Sequence, residues 1–305
     1  MTQKLYPVGS LAVTQDHRRR VHMAGARPTV RRRRVAALLV KFRKEAGKSL
    51  DEAADRIGCH RTKINRIENA HLGISLGELR DLLTFYGVDD PAQVEEMVSL
   101  ARRGREPNWV RRASVARPSY PDFIDYEESA EYIRTFQSSL VAGLLQTPDY
   151  ARAVIQTAPS TLGPEAVEAL VTARMERQEV LKRDHPPRLC VIEGEAALRL
   201  RVGGPEVMRK QLDHLAEMAQ HPSIELQVIP HSAGAHAGLF GAFVLFAFPN
   251  PVFSDVVCVE HRTGTLYMET PEETAEYTLI FDSLRSIALS PRESLDLIAR
   301  IQHEL

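Results

Sequence analysis

Two short helical patterns that meet at one glycine, within residues 49–69, constrain the fold more than any other feature of the sequence. Ser49 and Glu52 have the spacing of a capping box, in which each side chain bonds the backbone amide of the other, so a helix begins after Ser49. Gly58 ends that helix, and a second helix is predicted over Arg61–Asn69. The chain therefore contains two short helices that pack across a tight turn.

The second of these helices has one apolar and one polar face. Ile64 and Ile67 are predicted to be buried, whereas the outward face is basic and polar and consists of Arg61, Thr62, Lys63, Asn65 and Arg66. Two short helices around a glycine turn, the second with such a face, are typical of a helix-turn-helix motif that inserts its second helix into the major groove of double-stranded DNA. An ordinary solvated helix face is the alternative interpretation.

Further helical patterns complete a domain around this motif. Apolar residues recur at helical spacing from Val35 to Ala46, where Gly47 ends the run, and two more apolar patterns follow within residues 76–100. We therefore predict an all-α, five-helix helix-turn-helix domain over residues 35–104.

Positive charge is concentrated in the N-terminal part of the chain, although the net charge is only -1. Residues 1–112 carry 23 Lys and Arg against 13 Asp and Glu, whereas residues 113–305 carry 16 against 27. A basic head on an acidic body is expected when only the head meets a polyanion. Two independently soluble domains with different surface charge would give the same pattern.

Residues 1–34 lack a sustained apolar period and end in the arginine run Arg31, Arg32, Arg33 and Arg34. Such a run repels itself, so the pattern predicts a flexible basic arm. We interpret these four arginines as contacts to DNA phosphates along the backbone or in a minor groove, with a solubilising tail as the alternative.

The segment Phe42–Ala54, together with Ile64–Asn69, resembles the xenobiotic-response-element (XRE) family of phage-repressor-like regulators. The resemblance implies a homodimer whose base-reading residues are Arg61, Thr62 and Arg66. It implies phosphate contacts by Lys63, Asn65, Asn69 and His60, and a structural ion pair between Arg43 and Glu68. His60 stands where the family often has Ser or Thr as a helix cap, and we expect capping to pass to water or another residue.

The remainder of the chain is predicted to form a separate α+β domain. Residues 105–122 are rich in Arg, Pro and Ser and are predicted to be a linker to a domain over residues 123–305. A helix is predicted over residues 123–136, and strands over residues 189–192, 224–229, 243–248, 256–260 and 265–268. We expect a small, largely antiparallel sheet covered by helices.

This second domain also carries a resemblance. Four segments are similar to the C-terminal domain of unknown function that follows the same type of head in many actinobacterial regulators: Gly143–Arg152, Met208–Leu215, Gly234–Ala237 and Gly241–Phe243. The resemblance implies a regulator of development or antibiotic production, in some members antitoxin-like and paired with a small protein encoded nearby.

Two hypotheses describe what this second domain does. In the first, it docks a small basic protein that is drawn to its acidic surface, and docking changes the affinity for DNA. In the second, it binds a small ligand near the loop that contains Gly234, His236, Gly241 and Phe243. A plain turn with a hydrogen-bonded structural histidine is an equally good interpretation of that loop.

No motif for catalysis, phosphate binding or dinucleotide binding appears in the sequence. A zinc set can be drawn from His231, His236, Cys258 and His261, but core or surface roles account for these residues as well. We therefore expect no enzyme activity, no cofactor and no metal. The sequence shows no membrane span or secretory signal and has three scattered cysteines, so we expect a cytoplasmic, nucleoid-associated protein.

Overall fold

The computed structural model describes residues 30–102, 120–157, 163–249, 254–261 and 264–305. Residues 1–29 of the predicted arm and residues 105–119 of the predicted linker lie outside the described residues. Within the described ranges, the helices are too short or too polar to cross a membrane.

Five helices form the N-terminal unit, which we call the head (residues 30–102). They are α1 (Val30–Glu45), α2 (Leu50–Arg56), α3 (Arg61–Glu68), α4 (Leu76–Phe85) and α5 (Pro91–Arg102). Capping boxes begin two of them, because Ser49 pairs with Glu52 before α2 and Ser75 pairs with Glu78 before α4. The apolar faces of the helices meet in one core that includes Leu38, Ala53, Ile64, Leu83 and Met97.

Helix α1 begins at Val30, earlier than the sequence pattern predicts. Val30 is only 2% exposed and belongs to the apolar core of the C-terminal unit, whereas Val35 and Leu38 belong to the core of the head. One continuous helix is thus embedded in both units. The flexible-arm prediction does not hold for residues 30–34, because the C-terminal unit supplies partners for them.

The C-terminal unit, which we call the body (residues 120–305), contains one sheet of six strands in the order β3-β2-β1-β4-β5-β6. The strands are β1 (Tyr132–Gln137), β2 (Arg188–Gly194), β3 (Ile224–Ile229), β4 (Phe243–Ala247), β5 (Val256–His261) and β6 (Gly264–Met268). The helices are α6 (Tyr120–Ser129), α7 (Pro148–Gln156), α8 (Pro164–Gln178), α9 (Glu195–Arg199), α10 (Pro205–Met218), α11 (Pro271–Ile287) and α12 (Pro291–His303).

The sheet differs from the predicted small, largely antiparallel one. Strand β2 pairs in parallel with both β1 and β3, while β4 pairs antiparallel with β1 and leads into the antiparallel pairs β4–β5 and β5–β6. The predicted strands are present, but the predicted helix over residues 123–136 is wrong for residues 132–136, which belong to β1. That helix ends at Ser129, and the chain then enters the centre of a mixed sheet.

Both faces of the sheet are covered. The larger apolar core joins one face to α6, α7, α10 and α12, and includes Tyr126, Tyr150, Leu212 and Ile298. The smaller core joins the opposite face to α11 through Phe281 and Leu284. Strands β2 and β4 carry apolar residues on both faces, as expected for strands buried between helices.

Candidate nucleic-acid interface

Helix α3 is anchored on one side and exposed on the other. Ile64 and Ile67 are buried in the core of the head. Arg61, Thr62 and Arg66, the three predicted base-reading residues, are exposed on the outer side. A helix fixed by its apolar face presents its polar side chains in defined directions, as insertion into a major groove requires.

His60 caps α3 directly, so the expectation that it would cap poorly is wrong. Its Nδ1 atom accepts from the amide of Thr62 at 3.3 Å and lies 2.9 Å from the Thr62 hydroxyl. Nδ1 accepts as a serine or threonine oxygen would, because the ring nitrogen is in reach of a free amide of the first turn. His60 is therefore a structural residue of the turn, with its ring exposed beside the outer face of α3.

Arg61 is held by an exposed ion pair. Its Nη1 atom lies 3.0 Å from the Asp51 carboxylate on α2, and the two side chains are 60% and 61% exposed. Exposed ion pairs contribute about 1 kcal/mol or less. The guanidinium can therefore exchange Asp51 for the N7 and O6 acceptors of a guanine.

The predicted phosphate-contacting residues of α3 already have protein partners. Lys63 forms an ion pair with Glu78 at the start of α4, and that carboxylate raises the pKa of Lys63. Asn69 donates through Nδ2 to the Asn65 carbonyl at 2.7 Å and to Asn65 Oδ1 at 3.1 Å, which closes the last turn of the helix. A contact to phosphate by these residues requires that such bonds be exchanged or shared.

Arg43 and Glu68 form a two-bonded ion pair that braces α1 against α3. Arg43 Nε donates to Glu68 Oε1 at 2.7 Å and Nη2 donates to Oε2 at 2.8 Å, while Nη1 donates to the Lys48 carbonyl at 2.9 Å. Hydrogen bonding to Glu68 raises the pKa of Arg43. The pair fixes the C-terminal end of the recognition helix, so its role is structural, as the resemblance implies.

The arginine run meets the body through α6. Arg31 Nε lies 2.7 Å from the Asp125 carboxylate, and its Nη2 atom pairs with Glu128. With both acids on the same helix, Arg31 is largely shielded from solvent and is not positioned to contact a phosphate in this arrangement.

Arg33 and Arg34 continue this contact. Arg33 donates to the Tyr126 hydroxyl at 2.8 Å and to Glu269 at 3.2 Å. The Arg34 guanidinium is stacked 3.7 Å from the centre of the Phe248 ring and is 6% exposed. Arg32 is exposed, and the Arg33 side chain is 41% exposed despite these contacts. We call the contact of Arg31, Arg33 and Arg34 with the body the α1 clamp.

The candidate effector loop of the body contains both buried and exposed residues. Phe243 is 3% exposed and packs on Tyr277 and Phe281, so it is a core residue of β4. His236 lies edge-on to the Phe136 ring, and its buried Nδ1 has no hydrogen-bond partner among the described residues. Gly234 and Gly241, with φ of 72° and 133°, form the turns on either side of the loop tip.

The loop tip and the adjacent helix α11 carry the three most exposed large apolar side chains of the described body. Phe240 is 98% exposed and Leu239 is 69% exposed, and Leu279 on the adjacent helix α11 is 71% exposed. The sequence pattern alone does not indicate that Leu239, Phe240 and Leu279 are exposed. Their exposure, rather than the glycines, is what distinguishes the loop.

The Gly143–Arg152 segment, one of the four that carry the resemblance in the body, consists of a loop before α7 and the first residues of that helix, and the loop is held by buried polar groups. Glu193 accepts from the Ala142 amide at 2.8 Å, and Gln211 bonds both the Leu145 carbonyl and the Thr147 amide at 2.7 Å. Gln146 reaches back to the Val141 carbonyl at 2.7 Å. Side chains from β2, from α10 and from the loop itself thus hydrogen-bond the backbone of the loop, which makes that backbone rigid.

Glu193 is fully buried in this support. Burial raises its pKa to about 8, and the single bond from Ala142 offsets only part of that effect. A carboxyl group in such a site is protonated at neutral pH. Sequence reasoning missed it, although a glutamate at the end of the apolar run of β2 is a visible signal.

No three His, Cys, Asp or Glu side chains lie close enough together in the described part of the chain to hold a metal ion. Cys258 is buried at 1% exposure, and burial raises the pKa of its thiol. His231 instead lies near Glu195, which accepts from the His231 amide at 2.7 Å.

The fold of the head and the outward face of α3 define a helix-turn-helix protein of the DNA-binding class. Residues 34–97 match the family model described as helix-turn-helix domain, and residues 120–300 match the model described as domain of unknown function DUF5753. The second match covers more than half of the chain, so the protein belongs to the DUF5753 family. Comparison with curated proteins gave no match, and neither did comparison with solved structures.

Proposed function

We propose that the protein is a sequence-specific transcriptional regulator of the XRE type that binds its operator as a homodimer. The observation that carries this proposal is the outer face of α3, where Arg61, Thr62 and Arg66 are exposed on a helix fixed by a buried core. Arg61 and Arg66 read base edges, with Arg61 leaving Asp51 to bind a guanine. Phosphate contacts position the head but carry no sequence information.

The test is an electrophoretic shift of the purified full-length protein on its own upstream DNA and on an unrelated duplex. We expect the wild type to prefer the upstream DNA at moderate salt, and Arg61→Ala combined with Arg66→Ala to lose that preference. The matched control is Arg80→Ala combined with Arg292→Ala, which removes two exposed arginines of other helices, α4 and α12. Equal binding of every duplex by the wild type would refute sequence-specific reading.

The body carries the second part of the proposal, which is modulation by a small basic protein in the manner of an antitoxin. Leu239, Phe240 and Leu279 supply an exposed apolar centre. The exposed side of α11 around Leu279 adds the acidic residues Glu272, Glu276 and Asp282. An apolar centre with an acidic rim favours a partner that offers apolar and basic side chains. We call this surface the α11 patch; no catalytic step is part of the proposal.

Binding of a purified small basic protein encoded beside this gene tests the α11 patch. We expect Phe240→Ser combined with Leu279→Ser to weaken partner binding at least tenfold while DNA binding by the variant alone is unchanged. Leu266→Ser is the matched control, because Leu266 is also exposed but lies on β6. If the patch variant and the control bind the partner equally well, the patch is not the docking surface.

A further inference from the structure

The body contains a cavity of about 140 Å³ whose lining includes none of the loop residues Gly234, His236, Gly241 and Phe243, although the lining residue Val244 follows directly after them. Its floor is formed by β1 and β4, and its walls by α6, α8 and the loop at residues 140–146. That loop is the one held rigid by Glu193, Gln211 and Gln146. The cavity is therefore preformed, which lowers the cost of ordering a site when a ligand binds.

The lining divides into an apolar part and a hydrogen-bonding part. Ile133, Leu144 and Val244 are among the apolar lining residues, while Thr135, Gln137 and Gln146 are among the polar ones. An apolar wall with a few fixed polar groups is the usual composition of a small-molecule site.

The ionisable lining residues carry no net charge. Glu127 and Arg177 satisfy each other through two bonds at 2.8 and 2.7 Å, and both side chains are nearly fully buried. Arg174 donates to Gln146 Oε1 at 2.7 Å, and Glu260 supplies the second negative charge at an exposed position. A ligand with a net charge would bring an uncompensated charge into this site, which is unfavourable in a partly buried environment.

The volume limits the size of the ligand. A cavity of roughly 150 Å³ holds a benzene molecule. The occupant is therefore a single small ring or a short chain with one or two hydrogen-bonding groups.

The helix α6 connects the cavity to the head. Phe123 and Glu127 of α6 line the cavity, whereas Asp125 and Glu128 of the same helix bind Arg31 of the α1 clamp. Helix α1 then enters the core of the head and reaches the recognition helix through Arg43 and Glu68. A displacement of α6 by an occupant is thus passed to a helix that holds α3.

We propose that this cavity binds a small molecule without net charge, consisting of an apolar body and a hydrogen-bonding head, and that its occupancy changes DNA binding through α6 and the α1 clamp. The regulatory half of this inference rests on the proposed function, because it requires that the head bind DNA. The binding half stands on the cavity alone.

The experiment titrates benzyl alcohol into the full-length protein labelled with ¹³C at isoleucine methyl groups. Benzoate and benzylammonium are the matched charged probes. We expect a saturable shift of the Ile133 methyl signal with benzyl alcohol only, while Ile287 at the exposed end of α11 serves as the reference. Val244→Phe fills the cavity and abolishes the shift, whereas Val259→Phe, on the opposite face of the sheet, retains it. Leu140→Phe on the loop is the second blocking variant if Val244→Phe does not fold.

The same protein samples are then used in the electrophoretic shift. We expect saturating benzyl alcohol to change the affinity for upstream DNA by about fivefold, a typical size for coupling between two sites. Arg31→Met keeps the Ile133 shift but loses the effect on DNA, because it removes the ion pairs to α6.

The outcomes separate the two halves. Absence of a saturable Ile133 shift, or equal binding of the charged probes, overturns the proposed site while leaving DNA binding in place. A saturable shift with unchanged DNA affinity overturns the coupling. If the wild type binds no DNA at all, the proposed function fails, and the Ile133 titration still decides whether the cavity is a ligand site.

Discussion

Breaking the Arg43–Glu68 ion pair should destabilise the recognition helix α3 far more than breaking the exposed Arg61–Asp51 ion pair. Arg43 and Glu68 are 13% and 8% exposed, and two charge-assisted bonds join them. Glu68→Ala leaves a guanidinium in a mostly dry site with one remaining bond to the Lys48 carbonyl. Removing one partner of a buried pair costs about 3–5 kcal/mol, and the partial exposure of Arg43 reduces this to about 2–3 kcal/mol.

Hydrogen exchange of the full-length protein, followed by mass spectrometry, measures this effect at the amides of α3. Because about 1.4 kcal/mol corresponds to a factor of ten, we expect protection of α3 to fall roughly 30- to 150-fold. Asp51→Asn breaks the exposed Arg61 pair and is expected to cost about 1 kcal/mol or less.

A double variant tests whether the cost comes from the unpaired charge. Arg43→Met combined with Glu68→Leu replaces the pair with apolar side chains and should recover much of the protection lost in Glu68→Ala, because no buried charge is left alone. If Glu68→Ala and Asp51→Asn change the exchange of α3 equally, the brace does not stabilise the helix and the reasoning is refuted.

Glu193, Lys63 and Gly238 give three further expectations. Burial raises the pKa of Glu193 to about 8 from 4.5, so the folded state keeps a proton that the unfolded chain releases. Below about pH 4.5 the group does not lower the free energy of unfolding, and as the pH rises toward 8 that free energy falls by up to about 1.4 kcal/mol per pH unit. Glu193→Gln should remove this pH dependence, as measured by urea denaturation at several pH values. Glu78→Gln preserves the capping box but weakens the hold on Lys63, so DNA affinity should rise severalfold in the electrophoretic shift. Gly238→Ala places a methyl group 2.4 Å from the Phe136 ring, which should cost about 1–3 kcal/mol and lower the Tm.

Each of these expectations has a contrary result. Identical pH slopes for the wild type and Glu193→Gln would assign the titration to another group. Unchanged DNA affinity in Glu78→Gln would mean that Lys63 does not contact phosphate. Ala275→Ser, at an exposed position, is the neutral comparison for Gly238→Ala. If Gly238→Ala leaves the Tm unaltered, the loop accommodates the methyl group without loss of stability.

Local signals made the helix-turn-helix predictable. The capping box at Ser49 and Glu52, the glycine at Gly58 and the spacing of Ile64 and Ile67 act within a few residues of each other, and the predicted Arg61–Asn69 helix is observed as Arg61–Glu68. In such a motif, local signals that place the ends of a helix and its buried residues also determine which of its side chains are exposed.

Long-range contacts account for what the sequence pattern missed. The arginine run repels itself when read alone, but Arg31 finds its acids on α6, more than ninety positions along the chain. Strand β1 has apolar residues such as Ile133 and Phe136 at a spacing that also fits a helix. Only the pairing of β1 with β2 and β4 selects the strand, and that pairing depends on the whole sheet.

The sequence does not show which side chains of the candidate loop in the body are exposed. Phe243 follows Gly241 and is buried, whereas Phe240 precedes it and is fully exposed. Chemically equivalent residues three positions apart differ because one lies in β4 and the other on a turn. The sheet, rather than the loop sequence, decides which of them is available to a partner.

Helix α1 also sets an angle between the recognition helix and the body. An α-helix advances about 1.5 Å and turns about 100° with each residue. Arg34 is packed on Phe248 of the body, and its neighbour Val35 already belongs to the core of the head, so no spare turn separates them. One residue inserted between them would swing α3 by about 100° around the axis of α1. If the bodies hold a dimer together, the phase of the two recognition helices along the DNA is encoded by the residue count of α1 and not by the length of the linker.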